Sequence, residues 1–259
     1  MPQDPPVPYV WKAGLAMIAG KPTVSVEAQP HSLEIDPQQT AIIVVDMQND
    51  FGSEGGMFAR AGIDITAIQA AVAPTARVLD MARRSGMPVI YLKMAFASDL
   101  SNAGGPEAPN RILHLRMGVG EPVTAPNGQE SRILIEDTWN TDILTELTPQ
   151  PDDRVVVKHR FSGFFETNLD ALLRDLGITT LVFTGCTTSV CVESTLRDAF
   201  FRDYRCLVLA DCTAEPIGHG LERSNHDASL LLIQVMFGWV SDSTAFIEAL
   251  SAQTMVAAV

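Results

Sequence analysis

Positive charge is scarce in this 259-residue chain: 18 Lys and Arg stand against 31 Asp and Glu, a formal charge of −13. That balance repels phosphate backbones and anionic membrane surfaces, so neither nucleic acid nor membrane is expected as a partner. The apolar runs are a few residues long, far short of the roughly 20 that cross a bilayer. The N-terminus carries Asp4 and several prolines without a continuous apolar core, which does not read as a secretory signal. Cysteines number four, and Cys186, Cys191, Cys206 and Cys212 all fall within 27 residues. They are too few to staple a chain of this length, and their spacing matches no zinc pattern. A reducing cytoplasm is the expected home. There is no P-loop, no G-x-G-x-x-G and no internal repeat, so nothing argues for a nucleotide.

What is present is alternation. Residues 1–32, with five prolines before Ala28, read as an irregular N-terminal arm, and a single domain is expected over residues 33–253. Apolar, β-prone runs occur at Thr40–Met47, Met87–Phe96, Arg154–Lys158, Leu181–Thr184 and Arg205–Asp211. Helix-period stretches separate or follow them at Ile65–Ser85, Thr167–Gly177, from about Val190, His226–Met236 and Ser243–Leu250. Pro74 is a possible kink in the first of these. A short helix is expected at Thr141–Leu147. Between Ala97 and about Asp137 periodicity disappears among glycines and prolines, which predicts a long loop or lid over a pocket. The order predicts an α/β chain, a three-layer α/β/α sandwich with a mostly parallel sheet.

Chemistry in such sheets gathers where strands end. Asp46 ends the first strand, although a cap or turn aspartate would look the same. Lys158 ends the third, where an ammonium beside Val155–Val157 is costly unless a carboxylate meets it. Cys191 lies in the first turn of the helix after Leu181–Thr184. Unpaired amides and the helix dipole there favour a thiolate over a thiol and suit an oxyanion. On position alone Cys186 and Cys191 fit an inert core equally well. Taken together, acid, amine and thiol suffice for nucleophilic attack on an amide carbonyl, the carboxylate taking the thiol's proton.

The segments Ile42–Phe51 (IIVVDMQNDF), Val157-Lys158 and Gly185–Cys191 (GCTTSVC) resemble those of the isochorismatase-like cysteine hydrolases, the family of nicotinamidase and N-carbamoylsarcosine amidase. The resemblance runs from about Leu33 to Leu250. Within the family, Gly104–Asn110, Pro149–Asp152, Arg160–Phe165, Cys191–Asp198 and Phe237–Asp242 look most like the ureidoacrylate amidohydrolases. This resemblance implies Asp46 as general base and acid, Lys158 as electrostatic partner and Cys191 as nucleophile. It also implies a cis Cys186–Thr187 peptide and an oxyanion hole from the N–H groups of Thr187 and Cys191. No cofactor is implied, and the likeness suggests a homo-oligomer, dimer or tetramer.

The chain departs from its relatives at Met94-Ala95-Phe96. Nicotinamidases carry an Asp-x-His metal motif there, and ureidoacrylate hydrolases resemble Asn-x-Trp. A metal is therefore not expected, and Met94 and Phe96 predict a more apolar pocket wall unless they are plain core. Arg160 and Phe161 are candidates for a substrate carboxylate and its apolar body, with Asn110, Arg111 and His114 as further lid candidates. His159 should point away from Lys158 along an extended strand, and His219 and His226 read as surface residues. The expected activity is hydrolysis of a small acyclic amide or ureido substrate, carboxylate-bearing as ureidoacrylate is, with release of ammonia or a carbamate. Alternatives are a related amidase for a more apolar amide, a redox protein using Cys186 and Cys191, or a non-catalytic relative.

Overall fold

The computed structural model describes residues 23–218 and 224–256. His219 and most of the proposed arm lie outside the described residues. Within that arm, β1 (Val24–Val26) is regular and pairs antiparallel with β2 (Leu33–Ile35). Their alternate residues Val24, Val26, Leu33 and Ile35 are buried, which is why the stretch is ordered.

The main sheet begins at β3 (Thr40–Val45), buried at every residue as a central parallel strand must be. Two one-turn helices, α1 (Asn49–Gly52) and α2 (Met57–Arg60), lead to α3 (Thr66–Arg84) and then β4 (Val89–Met94). Pro74 is buried inside α3, which runs unbroken through it.

The stretch read as a structureless lid is more ordered than expected. It contains α4 (Pro109–Arg116) and a hairpin of β5 (Pro122–Thr124) and β6 (Glu130–Arg132). These elements are too short and too polar to leave a periodic apolar signal. Backbone bonds from Phe96 N to Leu134 O (2.8 Å) and Glu136 N to Phe96 O (3.0 Å) tie the lid to the end of β4. The expected helix at Thr141–Leu147 is instead two single 3₁₀ turns, Trp139–Thr141 and Thr145–Leu147.

Then follow β7 (Arg154–Lys158), α5 (Leu169–Asp175), β8 (Thr180–Cys186), α6 (Glu193–Phe200), β9 (Arg205–Ala214), α7 (Asn225–Leu232), β10 (Trp239–Ser241) and α8 (Ser243–Val256). The sixth strand, β10, is only three half-buried residues, too short to read as a strand from sequence.

The six strands lie in the order β10-β9-β8-β3-β4-β7, all parallel. Helices flank the sheet on both faces, the predicted three-layer arrangement. The chain winds outward in one direction from β3 to β7 and in the other from β8 to β10. The two halves part between β3 and β8, and a crevice opens at such a switch point beyond the carboxyl ends of the strands. Gly185 allows the two strands to meet there: a Cβ on it would sit 2.0 Å from the Val45 carbonyl oxygen, and its φ is +110°.

Candidate active site

Register determines which side chains share the carboxyl edge. Val45 stands opposite Gly185 across β3 and β8, and Met94 stands opposite Lys158 across β4 and β7. Asp46 follows at once, with φ +50° and its N–H bonded to Leu92 O at 2.9 Å. That left-handed conformation costs a β-carbon residue about 1–3 kcal/mol and ends the strand abruptly. Gln48 then clips β3 to β4, donating to Met94 O and accepting from Met94 N, both at 2.8 Å.

Lys158 Nζ lies 2.7 Å from Asp46 Oδ2, and both side chains are sealed from solvent. The ammonium also donates to the Arg160 carbonyl (3.2 Å) and to Met94 Sδ (3.5 Å). Burial works against the charged lysine, yet Asp46 and the Cys191 sulfur outweigh it and hold its pKa above the ordinary value. Burial raises the Asp46 pKa, and Lys158 restrains that rise.

The thiol of Cys191 lies close enough to Asp46 and Lys158 for both to act on its charge. Three segments more than 30 residues apart in sequence thus deliver acid, amine and thiol to one point. Cys191 does not sit in an ordinary first helical turn: Thr188–Val192 forms a π-helical turn that leads into α6. The helix-start effect expected to favour a thiolate is opposed here. Burial, with Asp46 adding to it, pushes the thiol pKa up, and Lys158 only partly opposes this.

The turn is braced from behind. Glu215 accepts from Ser189 N (2.9 Å), from the Ser189 hydroxyl and from Ile217 N (2.9 Å). Thr195 Oγ1 donates to Cys191 O (2.7 Å) and accepts from Gly163 N (3.0 Å). His226, expected at the surface, is half-buried with Nδ1 2.9 Å from Thr188 Oγ1. The Cys186–Thr187 peptide is cis, as the resemblance implies. Cys186 is buried and donates to the Asp46 carbonyl at 3.3 Å, a structural contact.

Cys191 and Thr187 open onto a cavity of about 290 Å³, with Cys186 and Val190 on the same side. Phe51, Phe58, Met94, Leu134, Phe161 and Ile217 supply much of the remaining wall, and α4 adds Leu113 and His114, with Met117 just beyond it. Met94 and Phe161 are thus where sequence placed them. Three other expected substrate contacts lie off this wall. Phe96 is fully buried behind it, its ring 5.0 Å from that of His114. Asn110 donates to Ala103 O at 3.0 Å. Arg160 donates to Asn102 O and His159 O, with its guanidinium over the Phe165 ring. Their polar groups are spent on backbone carbonyls that the lid leaves uncovered. Arg111 is occupied likewise, donating to Leu100 O at 2.9 Å. His159 turns outward as expected, 3.2 Å from Glu166.

Sequence reasoning did not single out Phe51, Phe58, Leu134, Val190 or Ile217. Phe51 and Val190 stand inside the quoted motifs Ile42–Phe51 and Gly185–Cys191; the others are ordinary apolar residues that only packing brings together. Among the described residues, no three His, Cys, Asp or Glu side chains converge as a metal site requires. None of the described helices is long and apolar enough to cross a membrane.

The isochorismatase domain model matches residues 40–245. A ureidoacrylate amidohydrolase, RutB of Methylobacterium radiotolerans, is 41% identical over 227 residues, covering 88% of this chain and 85% of its own length. A cysteine hydrolase from Pseudomonas syringae pv. phaseolicola superposes with a TM-score of 0.71 at 29% identity, over 90% of this chain and 99% of that one. The N-carbamoylsarcosine amidase of Thermoplasma acidophilum does so with 0.58 at 27% identity, over 79% and 96%. A cysteine-bearing turn at the switch point of this sheet and a family match over most of the chain agree: the protein belongs to the isochorismatase family, as a cysteine hydrolase.

Proposed function

We propose that the protein hydrolyses the terminal C–N bond of a small acyclic amide or ureido compound through Cys191. The observation that carries this reading is the meeting of the buried Asp46–Lys158 pair with Cys191, which lines a cavity of about 290 Å³. Asp46 takes the thiol proton, and Sγ bonds to the carbonyl carbon. The developing oxyanion rests on the N–H groups of Thr187 and Cys191; one such donor is typically worth about 100- to 1,000-fold in rate. Asp46 returns the proton to nitrogen as the C–N bond breaks and ammonia leaves. Water, deprotonated by Asp46, then cleaves the thioester, or the thiocarbamate from a ureido substrate, and the thiol regains its proton. Lys158 holds the carboxylate and offsets negative charge on sulfur throughout.

Likeness to the Methylobacterium enzyme supports ureidoacrylate itself, a carboxylate-bearing ureido compound. The cavity wall supports a second reading, a more apolar amide, because neither Arg160 nor Arg111 reaches it and its lining is almost entirely hydrocarbon. An ammonia-release screen over ureidoacrylate, carbamoyl amino acids, biuret and aliphatic and aromatic amides tests both. Turnover of ureidoacrylate alone supports the first reading, turnover of uncharged amides the second, and no release from any of them counts against hydrolysis.

A further inference from the structure

The cavity wall holds one polar side chain outside the catalytic turn, His114, and that side chain is 2% exposed. Its Nδ1 lies 2.7 Å from the Asn110 carbonyl, which can only accept, so Nδ1 carries the proton. The ring is packed between Phe96 and Phe161, with centroids 5.0 and 5.5 Å away. Burial disfavours a second proton, as do the nearby charges of Lys158 and Arg160. Nε2 is thus a bare lone pair, and no described protein group donates to it. An acceptor without a donor is costly, and among the described residues the free volume that His114 lines is this cavity.

We propose that His114 Nε2 is a specificity-determining acceptor, receiving an N–H of the substrate other than the departing amine, in a site shaped for an uncharged, apolar body. A ureido compound presents such an inner N–H; the corresponding carboxamide has a methylene in its place. A carboxylate on the body would meet the His114 lone pair and hydrocarbon, with Lys158 already committed to Asp46. The inference rests on the hydrolase reading for which amine departs, but not for its test.

The test uses the full chain carrying Cys191→Ala, so that ligands bind without turnover. Phenylurea and phenylacetamide differ only by N–H against CH₂ at the inner position. With His114 present, phenylurea should bind tighter by roughly 2- to 10-fold, the worth of one buried hydrogen bond. His114→Phe should erase that preference and His114→Gln, which keeps an acceptor, should restore part of it. In protein labelled with ¹⁵N-histidine, the His114 Nε2 resonance should be that of an unprotonated nitrogen and move upfield with phenylurea but not with phenylacetamide. Equal affinities with His114 present, an unchanged preference in His114→Phe, a protonated Nε2, or no saturable binding of phenylurea would each overturn the proposal. So would tighter binding of 3-ureidopropanoate than of phenylurea. Binding as expected, with no ammonia released by the Cys191 enzyme from any amide, would instead remove the hydrolytic reading and leave this one standing.

Discussion

Lys158 Nζ stands 2.7 Å from Asp46 Oδ2 with neither side chain open to solvent. Each makes the other's burial tolerable, and removing one partner from such a pair typically costs about 3–5 kcal/mol. The pair is joined by the Cys191 sulfur, so its electrostatics and the thiol's reactivity are one system.

Replacing Cys191 with Ala or Ser should abolish ammonia release from whichever amide the wild type accepts, with the fold intact by circular dichroism. Cys186→Ser should leave most of that activity, since its thiol only donates to the Asp46 carbonyl. Loss of activity in both variants alike would point to a paired-thiol function.

Lys158 lowers the Cys191 pKa while burial and Asp46 raise it. Lys158→Ala should therefore move the alkylation of Cys191 by iodoacetamide to higher pH, followed as rate against pH with Cys186, Cys206 and Cys212 replaced. An unchanged profile would deny the lysine its role.

Asp50 is buried, which raises its pKa to about 6 despite bonds from Met57 N, Leu134 N and Asn140 Nδ2. A carboxyl whose folded pKa exceeds its unfolded value binds more protons when folded. Its contribution is complete below about pH 4, the unfolded pKa, and is lost as pH rises through about 6. Urea denaturation at pH 4 and pH 7 should show Asp50→Asn gaining on the wild type by up to about 3 kcal/mol over that range, two pKa units at 1.36 each. A pH-independent difference would refute the assignment.

Glu215 ties Ser189, two residues before Cys191, to Ile217 on the cavity wall. Glu215→Ala should lower kcat by roughly 10- to 100-fold with a smaller change in KM, since misplacement of a reacting group alone reaches that size. Glu215→Gln should recover part of the loss. Equal effects on stability and kcat in both variants would mean that the glutamate only supports the fold.

Gly185→Ala would force a β-carbon against the Val45 carbonyl in a backbone conformation of φ +110°. A destabilisation of about 3 kcal/mol or more is expected, read from the urea midpoint. A variant as stable as the wild type would mean that β3 and β8 can part at the site without cost.

The central strands were legible because burial on both faces leaves unbroken apolar runs, as at Thr40–Val45 and Leu181–Thr184, whereas β7 is an edge strand whose Val155 and Val157 are exposed. Short elements escaped notice: β10 has three residues, and α4 mixes Asn110, Arg111 and His114 with its leucines. The positions of Asp46, Lys158 and Cys191 at strand ends were likewise written in the chain, since a charged residue closing an apolar run marks an edge. Arg160 and Asn110, expected at the substrate, lie off the cavity wall for one reason: the lid's uncovered carbonyls claim their side chains, which no local pattern shows.

By itself, then, the order of residues determined the alternating architecture, the placing of Asp46, Lys158 and Cys191 near strand ends and the turn that carries the sulfur, because each depends on neighbours in the chain. Tertiary structure alone decided that burial raises the thiol's pKa, that Glu215 braces its turn, and that His114 lines a hydrocarbon cavity. Burial and hydrogen-bond partnership are relations between distant segments, and no local pattern encodes them.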